Sequence, residues 1–389
     1  MQPLHADWHY PTAIRCGAGR IAELADACRE LGMRAPLLVT DPGLAALPMV
    51  QAALARCRTA GLSCALFSAI QGNPTDANVA AGVAAYRAAG CDGVIAFGGG
   101  SALDAGKAVA LMAGQQRPLW DFEDRGDNWT RIDGAAIAPL VAVPTTAGTG
   151  SEVGRAAVIT DPAQRVKKIL FHPRLLPARV ILDPELTRGL PAPLTAATGM
   201  DALSHCLEAY CARGYHPLAD GIALEGMRLV QEYLPRAVAD GEDIEARTQL
   251  LVASSMGATA FQKGLGGMHA LAHSLGALYD AHHGLLNAIL MPYVLNANRT
   301  AVAARLDRLA RYLDLPRPDG AGVLAWVLGL RRQLGIPHQL AAIGIDDLEA
   351  ERVGRMAAAD PAAAGNPIPF DATRYRALLR DAVQGRLTP

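Results

Sequence analysis

The sequence lacks the features that would place the protein in a membrane or export it. No apolar run approaches the length of about 18 residues that a bilayer-spanning helix needs. Residues 1–12 contain neither the basic segment nor the apolar segment of a signal peptide. We therefore expect a soluble, cytoplasmic protein that does not act on a membrane.

Neither an excess of charge nor paired cysteine motifs are present. The 36 basic residues nearly balance the 37 acidic residues, which argues against a nucleic-acid partner and favours a small molecule. The seven cysteines are scattered along the chain, and none forms a C-x-x-C pair. That pattern is typical of reduced thiols in the cytosol rather than of a disulfide framework.

The 389 residues exceed what one hydrophobic core usually supports, so two domains are expected. The first half alternates short apolar runs with amphipathic stretches, which predicts βα units around a mostly parallel sheet. From Leu194 onward, Ala, Leu and Met recur at helical spacing. We predict an α/β dinucleotide-binding domain at 1–190 and an all-α domain, carrying the metal and the catalytic residues, at 191–389. The predicted strands are 35–40, 65–70, 93–97, 139–143 and 178–182, and the helices between them are 49–61, 76–89 and 102–112.

Two glycine-rich loops directly follow predicted strands. Gly98-Gly99-Gly100-Ser101 precedes a predicted helix, where glycine lets a phosphate approach the free N–H groups of the helix N-terminus. A turn needed only for packing is the alternative, since the run matches neither the P-loop nor G-x-G-x-x-G. The second loop, PTTAGTGSE at 144–152, offers hydroxyls at the same edge of the sheet. The two loops together favour a pyrophosphate site.

Asp41 follows the predicted strand 35–40. Its carboxylate could accept hydrogen bonds from ribose hydroxyls and repel a 2′-phosphate, which would favour NAD over NADP. A simple Asp-Pro-Gly turn is the alternative interpretation.

A candidate metal site lies in the helical half. Asp201 and His205 stand four residues apart in a predicted helix, so both side chains project from one face. Residues 268–284 contain four of the ten histidines: His269, His273, His282 and His283. A carboxylate with several imidazoles suits a divalent first-row metal. A single helical histidine is more often structural, and spacing alone leaves open which of these four would bind.

Four motifs resemble the iron-containing (group III) alcohol dehydrogenase family, and the resemblance covers essentially the whole chain. They are GGGSALDAGK, PTTAGTGSE, GMDALSHCLEAY and GLGGMHALAHSLGALYDAHHG. The resemblance implies a Rossmann-like N-terminal domain, an all-α C-terminal domain and a dehydroquinate synthase-like two-domain architecture. It also implies an active site in the cleft between the domains and a homodimer.

The same resemblance assigns residues. It implies metal ligation by Asp201, His205, His269 and His283, and a catalytic, non-ligand role for His273. His282 has no family role and is the competitor of His283. The positions implied around the dinucleotide are Asp41, Asn73, Gly99, Gly100, Ser101, Thr145, Thr146, Lys167 and Leu186, with Lys168 as the neighbour that could replace Lys167.

The activity implied is that of an NAD-dependent alcohol dehydrogenase. A divalent ion would act as a Lewis acid on the substrate oxygen while hydride passes between a primary alcohol and nicotinamide, and His273 would relay the proton. Fe²⁺ is the family's metal, and the ligand set suits Zn²⁺ equally. The alternatives are a metal-dependent lyase or synthase of the same fold and a non-catalytic nucleotide- or metal-binding protein.

The chain departs from the family pattern near the expected substrate positions. Arg155 follows Gly154, and Lys263 ends the segment AFQK, so each departure adds a cation. We hypothesise that Arg155 or Lys263 holds the carboxylate of a hydroxy acid or a semialdehyde. The alternative is that each side chain reaches solvent or pairs with a structural acid.

Overall fold

A computed structural model describes residues 6–8 and 12–387, and the described part of the chain forms two compact units. One unit comprises residues 1–146 and 150–189, and the other comprises residues 147–149 and 190–389. The segment 1–12, where we expected no signal peptide, lies outside the described residues apart from Ala6–Trp8 and Thr12. No helix among the described residues is long and apolar enough to cross a membrane.

The first unit is built around a seven-stranded sheet. Its strands and those of a separate hairpin are β1 (Ala6–Trp8), β2 (Ala13–Cys16), β3 (Pro36–Val39), β4 (Ala65–Phe67), β5 (Gly93–Gly98), β6 (Leu140–Pro144), β7 (Ala156–Asp161), β8 (Val166–Phe171) and β9 (Arg179–Leu182). The sheet order is β1-β2-β9-β6-β5-β3-β4, and only the β1–β2 pair is antiparallel. β3, β5 and β6 are buried along their whole length, as expected for parallel strands covered on both faces.

The hairpin of β7 and β8 forms its own two-stranded antiparallel sheet, which was not among the strands predicted from the sequence. Burial alternates along β7, so only every second side chain reaches the core. Its sequence AAVITD is too weakly apolar to stand out as a strand.

The second unit is helical. The helices of both units are α1 (Leu24–Glu30), α2 (Pro42–Ala45), α3 (Pro48–Thr59), α4 (Asp76–Ala88), α5 (Gly100–Met112), α6 (Ala192–Cys211), α7 (Pro217–Ala239), α8 (Ile244–Ala260), α9 (Gly267–Tyr279), α10 (His283–Asn298), α11 (Ala303–Tyr312), α12 (Gly320–Gln333), α13 (Ala350–Ala359) and α14 (Ala372–Gln384). α6 is buried almost all round from Thr195 onward and packs against α7, α8 and α10. A helix enclosed on every side can direct polar side chains into the interior, where they need partners. The α/β unit followed by a helical unit confirms the predicted fold class.

Candidate metal and nucleotide sites

Four side chains of the helical unit converge on one point. One ligand atom from each of Asp201, His205, His269 and His283 lies within 4.8 Å of the others, and we refer to these four residues as the donor group. Asp201, His205 and His269 are buried, and His283 is partly exposed. A carboxylate and three imidazoles held this closely could coordinate a divalent ion.

Three helices bring the donor group together. Asp201 and His205 lie one turn apart on α6, and His269 lies in the first turn of α9. His283 is the first residue of α10. Asp280 adopts the left-handed conformation at φ 52° directly after α9, which ends that helix and turns the chain into α10. The donor group therefore depends on a turn as well as on helical spacing.

Hydrogen-bond partners outside the donor group orient two of its imidazoles. His205 Nδ1 lies 3.2 Å from the carbonyl oxygen of Gly148, and His269 Nδ1 lies 2.7 Å from a Glu208 carboxylate oxygen. Both partners are acceptors, so each Nδ1 carries the hydrogen and each Nε2 keeps its lone pair for a metal. These residues fit a metal ion because both Nδ1 hydrogen bonds leave an Nε2 atom available as a ligand.

Asn287, fully buried on α10, contacts three members of the donor group. Its Nδ2 donates to Asp201 Oδ1 at 2.8 Å and lies 3.2 Å from His269 Nε2 and 3.1 Å from His283 Nε2. The amide thereby restrains the Asp201 carboxylate, which must compensate for its own burial by hydrogen bonding.

Burial sets the electrostatics around the donor group. It lowers the pKa of His269, which favours the neutral imidazole that ligates metals. It raises the pKa of Glu208 to about 7, although backbone N–H groups of Met268, Gly266 and His269 act in the opposite direction.

The other two histidines of the cluster take different places. His273 Nδ1 faces Asp360 Oδ2 at 3.0 Å, and its ring stacks on that of His283 with centroids 5.4 Å apart. His282 is the N-cap of α10, where its Nδ1 accepts a hydrogen bond from Leu285 N at 3.3 Å. Geometry thus joins His283, rather than His273 or His282, to the donor group.

The first glycine-rich loop and the start of the second meet at the carboxyl edge of the sheet in the first unit. Gly99 is the N-cap of α5 and supplies no side-chain hydrogen bond, so the free N–H groups at Gly100 and Ser101 suit a phosphate. Thr145 N donates to the Gly98 carbonyl oxygen at 3.0 Å. A Cβ at Gly99 would lie 3.5 Å from the Thr146 side chain, so the two loops are neighbours.

The remaining predicted dinucleotide positions are spread over the first unit. Asp41 caps α2 by accepting from Leu44 N at 2.9 Å, and its carboxylate lies 3.7 Å from where a Gly98 Cβ would be. Asn73 adjoins Gly72, whose carbonyl oxygen accepts from the Ser101 hydroxyl. Asp41 and Asn73 therefore lie beside the glycine-rich loops.

Lys167 and Leu186 are placed differently. Lys167 and Lys168 are neighbours on β8 and point to opposite faces of the strand. Lys168 is buried and pairs with Asp161 at 2.8 Å, whereas Lys167 is partly buried. Leu186 is buried in the hydrophobic core of the first unit.

The two added cations differ in their surroundings. Lys263 Nζ donates to Asp220 Oδ1 at 2.5 Å, and the Lys263 side chain is only 1% exposed. Lys263 therefore pairs with a structural acid, in agreement with the alternative interpretation of its sequence position. Arg155 is partly buried, and its guanidinium lies 5.5 Å from the centroid of the Phe171 ring.

Sequence reasoning missed Glu208, Asn287 and Asp360, which orient members of the histidine cluster. A signal existed for Glu208, because it follows Asp201 by seven residues and so shares its helix face. Asn287 follows His283 by four residues in the same way. No spacing signal exists for Asp360, which lies 87 residues from His273.

Comparisons with known proteins match both halves of the chain. A family model described as Iron-containing alcohol dehydrogenase matches residues 11–184. A second, described as Fe-containing alcohol dehydrogenase family, C-terminal, matches residues 195–383. The resemblance inferred from the four sequence motifs is thereby confirmed.

Individual relatives match over nearly the whole chain. A 4-hydroxybutyrate dehydrogenase of Cupriavidus necator is 42% identical over 96% of this chain and 99% of its own length. An NAD-dependent methanol dehydrogenase of Bacillus methanolicus is 36% identical over 92% of this chain and 94% of its own length. A crystal structure of a 1,3-propanediol oxidoreductase has a TM-score of 0.89 and 34% sequence identity, covering 98% of this chain and 100% of that chain.

Proposed function

This chain belongs to the iron-containing alcohol dehydrogenase family, and we propose that its substrates are a short hydroxy acid and the matching semialdehyde. It is an NAD-dependent, metal-dependent oxidoreductase that acts on an alcohol and aldehyde pair. The sequence-based prediction of a dehydrogenase is confirmed, because the relatives are named as dehydrogenases. Their names differ in the alcohol, so the substrate is the open part of the proposal.

The observation that carries the substrate proposal is the cation at Arg155. A guanidinium can hold a carboxylate through two parallel N–H groups, and packing on Phe171 limits its movement. The relative with 42% identity is named for 4-hydroxybutyrate, whose carboxylate such a cation would recognise. Lys263 takes no part in the proposal, because its buried ammonium already donates to Asp220 and to the Tyr210 carbonyl oxygen.

We assign metal binding to the donor group and dinucleotide binding to the first unit. When bound, a divalent ion supplies Lewis acidity to the substrate oxygen, and NAD supplies the hydride acceptor. We assign dinucleotide binding to residues 1–190, through Asp41, the two glycine-rich loops, Asn73, Lys167 and Leu186. Metal binding and proton transfer are assigned to residues 191–389.

The residues around the reacting oxygen hold and move one proton. Oxidation of the alcohol removes a hydride and a proton, and the proton must leave the substrate oxygen for solvent. We assign its transfer to His273, because Asp360 holds the ring through Nδ1 and leaves Nε2 for the exchange. The donor group keeps its nitrogens for the metal and takes no proton.

A substrate panel tests the proposal directly. We expect kcat/KM with NADH to be at least about tenfold higher for succinic semialdehyde than for butanal, because only the acid can pair with Arg155. Arg155→Gln should lower kcat/KM for succinic semialdehyde by roughly 10- to 100-fold and leave butanal within about twofold. Steady-state rates of NADH consumption measure both.

Arg58→Gln is the matched control, because it removes an exposed arginine of the same unit from α3. Arg58→Gln should leave kcat/KM unchanged for both succinic semialdehyde and butanal. Equal kcat/KM values for the acid and the neutral aldehyde in the unsubstituted enzyme would rule out the carboxylate preference. Family membership would be unaffected by that result.

The finer cofactor and assembly assignments are part of the same proposal. We propose NAD over NADP because of Asp41, and Fe²⁺ as the metal, with Zn²⁺ suited to the same donors. Metal analysis of anaerobically purified protein and rates with both dinucleotides test these points. A cytoplasmic homodimer is proposed from the family resemblance, and light scattering tests the dimer.

A further inference from the structure

Glu208 lies on the same face of α6 as two members of the donor group but is not one of them. It follows His205 by three residues and Asp201 by seven, so the three side chains stand one above another along the helix. Its side chain is 7% exposed. A carboxylate buried to this degree needs hydrogen-bond donors around it.

The donors come from the start of α9. Gly266 N donates to Glu208 Oε2 at 2.7 Å, and Met268 N donates to Oε1 at 2.7 Å. Gly266 is the N-cap of α9 and provides no side-chain cap of its own. A negative charge at this position also suits the positive end of the helix dipole. Glu208 therefore caps α9 from a different helix.

The absence of a side chain at Gly266 makes room for this contact. A Cβ at Gly266 would lie 2.8 Å from Glu208 Oε1, closer than such atoms pack. Any other residue at the cap would push the carboxylate away from the backbone N–H groups that it accepts from.

The same carboxylate holds a metal-donor imidazole. Glu208 Oε2 lies 2.7 Å from His269 Nδ1, and His269 is 1% exposed. A carboxylate accepts only, so His269 Nδ1 donates and the Nε2 lone pair is directed into the donor group. Hydrogen bonds of this kind orient a ligating histidine and raise its basicity.

We propose that Glu208 is a positioning residue that fixes His269 as an Nε2 ligand by joining α6 to the start of α9. The inference rests on the metal site of the proposed function and adds a residue outside that ligand set. Glu208 acts on metal affinity through His269, not by contact with the substrate.

Zinc affinity tests the proposal without reference to activity. In Glu208→Gln the side chain keeps its size, but one of its two acceptor oxygens becomes an NH₂ group. The remaining neutral oxygen is a weaker acceptor and cannot accept from Met268 N and from His269 Nδ1 at once. We expect the apparent Kd for zinc, measured by competition with a chelator, to rise roughly 10- to 100-fold. Unchanged affinity in this variant, while the unsubstituted protein binds zinc, overturns the proposal and leaves the metal site standing.

Asp371→Asn is the matched control. Asp371 Oδ1 caps α14 by accepting from Arg374 N at 2.7 Å, so this variant also removes a capping carboxylate from the helical unit. Its zinc affinity should equal that of the unsubstituted protein. An equal loss in both variants overturns the proposal, because capping alone would then account for the effect. If the unsubstituted protein binds no divalent ion, the proposed metal site itself is wrong.

A measurement on the unsubstituted protein covers the case in which Glu208→Gln does not fold. Nitrogen NMR of labelled histidines in the zinc-loaded protein distinguishes a protonated Nδ1 from a metal-bound Nδ1. We expect His269 to carry hydrogen on Nδ1 and zinc on Nε2. Zinc on Nδ1 overturns the proposal.

Discussion

At the scale of single residues, Lys107 is one of the buried cations of the first unit. It lies on α5 and is 1% exposed, and its Nζ donates to Ser151 Oγ at 2.8 Å and to the Ala156 carbonyl oxygen at 2.9 Å. Burial lowers the pKa of Lys107 from 10.5 to about 8, against the opposing charges of Asp104 and Glu152. The ammonium thus joins the helix after the first glycine-rich loop to the end of the second.

This shift in pKa predicts a pH dependence of stability. Between pH 8 and 10.5 the unfolded chain keeps the Lys107 proton and the folded chain loses it, so stability rises with pH in that window. In Lys107→Met the rise is absent. We expect the difference in unfolding free energy, unsubstituted minus variant, to increase by up to about 3 kcal/mol across the window. Urea unfolding at several pH values measures it, and a pH-independent difference would contradict the assignment.

Residue roles were predictable where they depend on local spacing. Asp201 and His205 followed from their positions on one helix face, whereas the choice of His283 over His273 needed the family resemblance. Partners distant in sequence were not predictable. The pairing of Lys263 with Asp220 spans 43 residues, and that of Glu208 with His269 spans 61. Such contacts exist only once the helices have packed.

At the scale of elements, the buried parallel strands were the most predictable part. Their sequences are continuous apolar runs, because both faces of the sheet are covered. The hairpin of β7 and β8 was missed because more than half of its side chains are not buried and its composition is mixed. The strength of the sequence signal therefore follows the number of faces that each strand buries.

Glycines set the approach of α6 and α7 in the helical unit. A Cβ at Gly226 of α7 would lie 2.6 Å from the Sγ atom of Cys206 on α6. A Cβ at Gly199 of α6 would similarly meet Leu234 of α7 at 2.2 Å. Side chains at these positions would force the helix that carries Asp201 and His205 away from its neighbour.

The two glycines of α7 at positions 221 and 226 give opposite predictions for the same substitution. Gly226→Ala should lower the unfolding free energy by about 1–2 kcal/mol, because the overpacked Cys206 is fully buried and cannot move aside. Gly221→Ala meets nothing within 4 Å at an exposed position and should raise it by up to about 1 kcal/mol. Denaturant unfolding followed by circular dichroism compares them. Stabilisation by both alanines would mean that the helices are not in close contact here.

At the scale of the whole molecule, the candidate residues for the two cofactors lie in different compact units. The positions proposed for NAD belong to the first unit, and the donor group belongs to the second. Each group is held by hydrogen bonds within its own unit, such as Thr145 N to the Gly98 carbonyl and Asn287 to Asp201. Substitutions in one group of residues therefore should not unfold the unit that carries the other group.

This separation predicts that turnover and NAD binding can be uncoupled. Asp201→Ala or His269→Ala removes one of the four metal donors, so we expect kcat to fall by roughly a thousandfold or more. The Kd for NADH, measured by fluorescence titration, should stay within about twofold, because no dinucleotide contact is lost. His282→Ala is the control, since it removes the cap of Leu285 N at the start of α10 from a histidine outside the donor group and should keep kcat within a few-fold. Normal turnover in His269→Ala, or its loss in His282→Ala alone, would show that the donor group has been assigned to the wrong histidines.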